Sequence, residues 1–189
     1  MLAGGRSRRF GRDKLAEEYQ GRPLLEHPVS RLLEVCDRVI VVLPPDAEEP
    51  PMPVGAAVEF ARDALEGEGP LRGLSAGLEV ANADWTVLAG GDMPDLQPAV
   101  LREMLRAARE TGVVAVTLSD GGMDRPLPCV LRTVAATDAA RALLEDGRRS
   151  LRDLLAVVAT AVVDEPTWTA LDPERRTLRD VDEPTDMNR

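Results

Sequence analysis

The residues best suited to chemistry lie at the start of the chain, in residues 2–15, Leu-Ala-Gly-Gly-Arg-Ser-Arg-Arg-Phe-Gly-Arg-Asp-Lys-Leu. This stretch holds Gly4, Gly5 and Gly11, four arginines, and Lys14, the single lysine of the 189-residue chain. Glycines let a backbone bend tightly and turn successive N–H groups toward one point, while Ser7, Arg9 and Lys14 add side-chain donors; the combination suits a polyphosphate. A flexible basic tail is the plain alternative. Spacing excludes two common phosphate loops. A Walker loop needs glycine, four residues, then Gly-Lys-Ser/Thr, whereas five residues separate Gly5 from Gly11 and the lysine comes three after Gly11. A dinucleotide fingerprint needs Gly-x-Gly-x-x-Gly after a full strand, which this pattern does not supply.

The acids that could complement such a loop sit where strands should end. Asp63 follows the short apolar stretch 57–61, and Asp92 follows 85–89 and Gly90-Gly91. In open α/β sheets ligands bind outside the carboxyl ends of strands, so Asp92 and the glycine loop should meet at one crevice. The intervening pattern supports that arrangement. The β-branched run 38–43 reads as a buried parallel strand, 98–111 as an amphipathic helix with Leu101, Met104, Leu105 and Ala108 on one face, and 113–118 as the next strand. A helix is expected from Pro23 to about Cys36, and a second ending near Val80. The stretch 44–53, with five prolines, reads as an exposed loop. A turn over 119–124, a strand over 125–131 with proline at its start, helices over 133–145 and 151–158 and a short strand at 162–163 complete the alternation. The acidic tail 179–186 reads by composition as a frayed terminus. Only Met1, Leu2 and Ala3 precede Gly4, so the first strand looks truncated: either the start lies further upstream, or the strand is unusually short and its sheet neighbours are less well covered.

Composition narrows the classes. The chain reads as one domain, residues 1–189, with 44% apolar and 30% charged residues and no apolar run near membrane length. No secretory leader is evident, which makes cytoplasm the expected location. A net charge of −10 disfavours nucleic acid as a partner. Cys36 and Cys129 form neither a disulfide framework nor a zinc pattern and read as buried small hydrophobes; His27, the one histidine, reads as a surface residue rather than a ligand.

The opening stretch resembles, position for position, the signature Leu-Ala-Gly-Gly-x-Ser-x-Arg-Met-Gly-x-Asp-Lys of the MobA-like nucleotidyltransferases, a family named after molybdenum cofactor guanylyltransferase, with Phe10 in place of the usual methionine. The resemblance continues through Gly69-Pro-Leu-Arg-Gly73, Asp92-Met-Pro94 where the family usually shows Cys-Asp-Met-Pro, Arg125-Pro-Leu-Pro128, and Asp180-Val-Asp-Glu-Pro-Thr-Asp186.

It implies a three-layer α/β/α sandwich with a mostly parallel, Rossmann-like sheet of the nucleotide-diphospho-sugar transferase type. It also implies a monomer that moves GMP from Mg·GTP to molybdenum-bound molybdopterin, with pyrophosphate released and Mg²⁺ as cofactor. By position, Leu2, Ala3, Gly4, Gly5 and Ser7 line the nucleotide, Arg9 and Lys14 hold the phosphates, Asp63 contacts the base, and Asp92 ligates the metal. Arg125, Pro126, Asp180 and Asp182 face the acceptor. Two alternatives stay open: a MobA-like cytidylyltransferase using CTP, and a nucleotide-binding module without catalysis. Asp92 could instead cap a helix, and Asp63 could cap or be solvated. Asp180 and Asp182 stand where guanylyltransferases typically carry asparagine, and two carboxylates suit an anionic pterin phosphate only if a metal or arginine neutralises them.

Overall fold

In the computed structural model of the chain, residues 1–3, 14–63 and 68–188 are described. A small hairpin, β1 (Glu18–Tyr19) and β2 (Arg22–Pro23), precedes α1 (Glu26–Leu33), β3 (Val39–Leu43), β4 (Val58–Arg62), α2 (Pro70–Val80), β5 (Trp85–Leu88) and α3 (Pro98–Thr111). There follow β6 (Ala115–Asp120), β7 (Met123–Arg132), α4 (Thr133–Glu145), α5 (Leu151–Val157), β8 (Thr160–Val163) and α6 (Glu165–Leu171).

The three residues at the start of the chain join two halves of the main sheet. Leu2 bridges in parallel to Val42 on one side and Gly90 on the other. Its N–H donates to Ala89 O at 2.9 Å, and the Ala3 N–H donates to Val42 O at 2.9 Å. The pair β3–β4 therefore continues through residues 1–3 into the order β5-β7-β6-β8. Strands β3 and β4 are parallel, as are β6 and β8, while β7 runs antiparallel to both β5 and β6. From residues 1–3 the chain first builds outward through β3 and β4, then in the other direction from β5, which makes this point the switch where an open α/β sheet binds ligands. The Met1 ammonium donates to Ile40 O at 2.7 Å inside this sheet, and burial pushes its pKa down to about 5.

Side chains alternate along each strand, so the sheet feeds two cores. Val39, Val41, Leu43, Val87 and Ala89 pack with Val29 and Leu32 of α1, with Leu101, Met104 and Ala108 of α3, and with Trp168 of α6. Leu88, Ala115, Cys129 and Leu131 pack on the opposite face with Leu71, Leu74 and Leu78 of α2 and with residues of α4 and α5. The result is the three-layer sandwich that the sequence predicts, with one strand reversed. Two glycines of α2 set how closely it lies on the sheet: a Cβ at Gly77 would fall 2.9 Å from Val42 Cγ2, and one at Gly73 3.2 Å from Leu2 Cδ2. No helix among the described residues is long and apolar enough to cross a membrane.

Several local expectations need correction. Pro23 lies in β2, and the helix starts three residues later with Pro28 in its first turn, where a missing N–H costs nothing. Pro126 and Pro128 fall in the middle of β7, not at its start; they sit where the β6–β7 register shifts between Val116 and Leu118, a break that relieves the ladder of its N–H requirement. The turn between β6 and β7 is only Gly121-Gly122, both at positive φ. His27 is buried, its Nε2 2.7 Å from Tyr19 O and its ring edge-on to Tyr19. Cys129 is buried as read, but Cys36 is only half-buried. The tail is docked: Val181 is fully buried with Tyr19 and Leu24. Composition missed this because one valine among acids carries little average hydropathy, yet a single enclosed side chain suffices to hold a segment.

Candidate functional site

Residues 1–3 lie between the carboxyl ends of β3 and β5, and two acids stand along this edge of the sheet. After β5 the chain passes Gly90 and Gly91 to Asp92; after β4 it reaches Asp63, whose N–H donates to Leu43 O at 2.8 Å, so this acid ends the β3–β4 ladder. Gly91 sits against Leu25, Leu15 and the Leu2 carbonyl, where a Cβ would lie 3.0–3.3 Å from them, and its N–H donates to Leu2 O. That contact pins the Asp92 loop to the first strand. Asp92 caps no helix, because the next one begins at Pro98 with Gln97 before it.

Lys14 reaches this point from the other end of the opening loop. Its ammonium lies 2.8 Å from Asp92 Oδ2, donates to Val181 O at 2.9 Å, and stands 3.7 Å from Asp182 Oδ1. The lysine side chain is 16% exposed and Asp92 30%, so the pair is sheltered rather than superficial. Val181 in turn donates its N–H to Asp92 O at 2.9 Å, which locks the tail across the pair. Asp180 is drawn into the same cluster. Burial, followed by the negative charges of Asp182 and Asp92, raises its carboxyl above the usual carboxylate range. The oxygens gathered here are two carboxylates and a backbone carbonyl, the donor type that suits a hard dication. Among the described residues no group of three or more histidine, cysteine or acidic side chains forms a metal cluster.

The remaining expected residues divide into three groups. Leu2 and Asp63 converge on Gly73, where a Cβ would meet Leu2 Cδ2 at 3.2 Å and Asp63 Oδ2 at 3.8 Å. Ala3 is buried at the end of the first strand. Arg125 and Pro126 lie in β7, which extends six residues beyond its pairing with the last residue of β5, Leu88↔Cys129, so this part of the strand overhangs the carboxyl edge. There the Arg125 guanidinium donates to Asp120 at 2.8 Å and 3.1 Å. Asp120 is shared with Arg175, which also pairs with Glu165 and stacks 5.6 Å from the Trp168 ring. Gly4, Gly5, Ser7 and Arg9 lie outside the described residues.

A second layer escaped the sequence reading. Asp95 accepts from Tyr19 Oη at 3.3 Å and from Arg179 at 3.3 Å, and Arg179 also donates to Asp186 O at 3.2 Å. Asp186 accepts from the N–H groups of Asp182 and Glu183. These contacts fix the backbone on either side of Val181. The one available signal was Val181 itself, an apolar residue between Asp180 and Asp182.

Comparison with known proteins agrees with this architecture. Residues 1–163 match the model of the MobA-like NTP transferase domain. A probable molybdenum cofactor guanylyltransferase of Mycolicibacterium paratuberculosis is 37% identical over 161 residues, covering 82% of this chain and 78% of that protein. The crystal structure of molybdopterin-guanine dinucleotide biosynthesis protein A from Archaeoglobus fulgidus superposes with a TM-score of 0.77 at 21% identity, covering 99% of this chain and 93% of the other. A 2-C-methyl-D-erythritol 4-phosphate cytidylyltransferase from Thermus thermophilus superposes with a TM-score of 0.72 at 18% identity, covering 99% and 93%, which marks a shared fold. The docked tail lies beyond the matched domain, whereas Lys14 and Asp92 lie within it. With its signature loop, its sheet order and 163 matched residues, the chain belongs to the MobA-like NTP transferase family.

Proposed function

We propose that this protein transfers GMP from Mg·GTP to molybdenum-bound molybdopterin and releases pyrophosphate. The observation that carries the reading is the meeting of Lys14 with Asp92 just past the carboxyl end of β5, beside residues 1–3. The choice of GTP and molybdopterin is supported by the relatives named as guanylyltransferases at more than 30% identity.

Nucleotidyl transfer asks a site to hold an attacking phosphate in line with the α-phosphorus and to neutralise charge on the departing pyrophosphate. In this reading the loop N–H groups of Gly4 and Gly5, with Ser7 and Arg9, cradle the phosphates, and the Lys14 ammonium takes charge on the leaving group. Leu2 and Ala3 line the nucleoside. Asp63 accepts from guanine N1–H and N2–H₂, a donor pair that cytosine lacks. Mg²⁺ fits the carboxylate and carbonyl oxygens around Lys14; Asp92 would hold it, and when bound it supplies positive charge to the phosphates. The overhang of β7 at Arg125 and Pro126 forms the acceptor wall.

Base-labelled GTP incubated with the protein, Mg²⁺ and molybdopterin tests the proposal. Transfer of label into a guanylated pterin with stoichiometric pyrophosphate is the expected result, and Asp92→Asn should lose the Mg²⁺-dependent rate while staying folded. Label retained entirely in GTP would refute the reading.

A further inference from the structure

The Lys14 ammonium occupies a cation's place. It is a single positive charge held by the carboxylate of Asp92 at 2.8 Å and the carbonyl of Val181 at 2.9 Å, with the Asp182 carboxylate at 3.7 Å. An ammonium and a magnesium ion make different demands of such oxygens. The first is satisfied at hydrogen-bond distance, while the second draws its ligands in to about 2.0–2.1 Å. Both cannot use Asp92 Oδ2 and its neighbours together, because two cations within a few ångströms repel strongly in a sheltered site. The acid-rich tail thus finds a role different from the acceptor contact expected of it, since carboxylates that would repel an anionic pterin phosphate are suited to a cation.

We infer that Lys14 and a divalent cation compete for one oxygen cradle made by Asp92, Asp182 and the Val181 carbonyl, so that nucleotide phosphates admit the cation by drawing the ammonium away. This rests on the reading of the site as one that binds a triphosphate with a metal. It assigns Asp182 and the docked tail to the cation, and it makes metal and nucleotide arrive together. Before nucleotide binds, Lys14 neutralises the acids and weakens the binding of free cation. Once the phosphates offer a polyanionic partner, the ammonium transfers to them and leaves a site of net negative charge. The tail lock follows from the same logic: Asp182 can serve only if Val181 stays seated, and its N–H on Asp92 O ties the two ligand-bearing segments together.

The test uses Mn²⁺ alone as probe, titrated by electron paramagnetic resonance into the full-length protein without nucleotide. Lys14→Met keeps the length of the side chain and removes its charge, and it should bind Mn²⁺ at least ~10-fold more tightly than wild type. Asp182→Asn should weaken Mn²⁺ binding several-fold in wild type and in Lys14→Met. Its side chain is 57% exposed, so this variant reads out even if Lys14→Met fails to fold. Melting curves give a second readout, because Mg²⁺ should raise the melting temperature of Lys14→Met more than that of wild type. Equal Mn²⁺ affinity in wild type and Lys14→Met would overturn the competition, and an Asp182→Asn affinity equal to wild type would remove the tail from the cradle. Neither titration contains GTP or molybdopterin, so failure here is separate from failure of the substrate assignment.

Discussion

Val181→Ala should damage both stability and turnover, and the two effects arise from different atoms. The side chain is fully buried with Tyr19 and Leu24, so truncation removes two methylene equivalents, worth about 0.8 kcal/mol each by transfer. A residual cavity in so small a cluster adds a few tenths, which gives about 2 kcal/mol in all. For a chain of this size that corresponds to a fall in melting temperature of about 4–8 °C. The catalytic effect is separate. The Val181 N–H donates to Asp92 O and its carbonyl accepts from Lys14, so a loosened residue 181 lets both partners drift. Misplacement on the scale of 1 Å costs on the order of 10²-fold in rate. Differential scanning calorimetry and steady-state pyrophosphate release on the same preparation check both numbers, with Val134→Ala as control because Val134 is 73% exposed. A Val181→Ala protein that melts within ~1 °C of wild type and turns over at the wild-type rate would refute the lock.

Three further outcomes follow from the same geometry. Lys14→Ala should cost on the order of 10²–10³ in turnover, as removal of a transition-state donor does elsewhere; a variant keeping half of wild-type turnover in pyrophosphate release would exclude the role. Gly90→Ala places a Cβ 2.4 Å from Asp92 Oδ1, so the carboxylate must swing aside; kcat should drop at least ~10-fold while circular dichroism shows an intact fold. The α-amino group of Met1, buried in the sheet, has its pKa lowered from 8.0 to about 5, chiefly by burial. The unfolded chain therefore binds more protons than the folded one between those values, and the stability of a chain starting at Met1 should rise from pH 5 to pH 8, by at most about 4 kcal/mol. A flat urea-unfolding midpoint across that window would contradict the burial.

Where the sequence was informative, one residue type had one physical use. The β-branched run at 38–43 had no competing conformation, and it forms β3 over Val39–Leu43. The alternation of strands and helices fixed the layers, and Asp92 at a strand end fixed the crevice. The antiparallel course of β7 was less legible, because a strand read over 125–131 carries no mark of its direction, and its prolines find a place inside the strand only beside the register shift. The tail was illegible for a different reason. Asp180 to Asp186 looks solvated when each residue is judged alone, and only the distant Tyr19, Leu24, Asp95 and Lys14 make it structure. Long-range pairing of this kind leaves no periodic trace. The pairing of Lys14 with Asp92 spans 78 positions, and spacing alone could place the two only at the same edge.

The choice of guanine is tested most directly by the ratio of kcat/KM for GTP and CTP, measured as nucleotidyl transfer to molybdopterin in the presence of Mg²⁺. A carboxylate at Asp63 that accepts from two guanine donors should reject a base lacking them by ~10²-fold or better, since cytosine forfeits both hydrogen bonds. GTP should lead by that margin, with Asp63→Ala eroding it. A wild-type preference for CTP, or equal use of the two nucleotides, would contradict the choice of guanine.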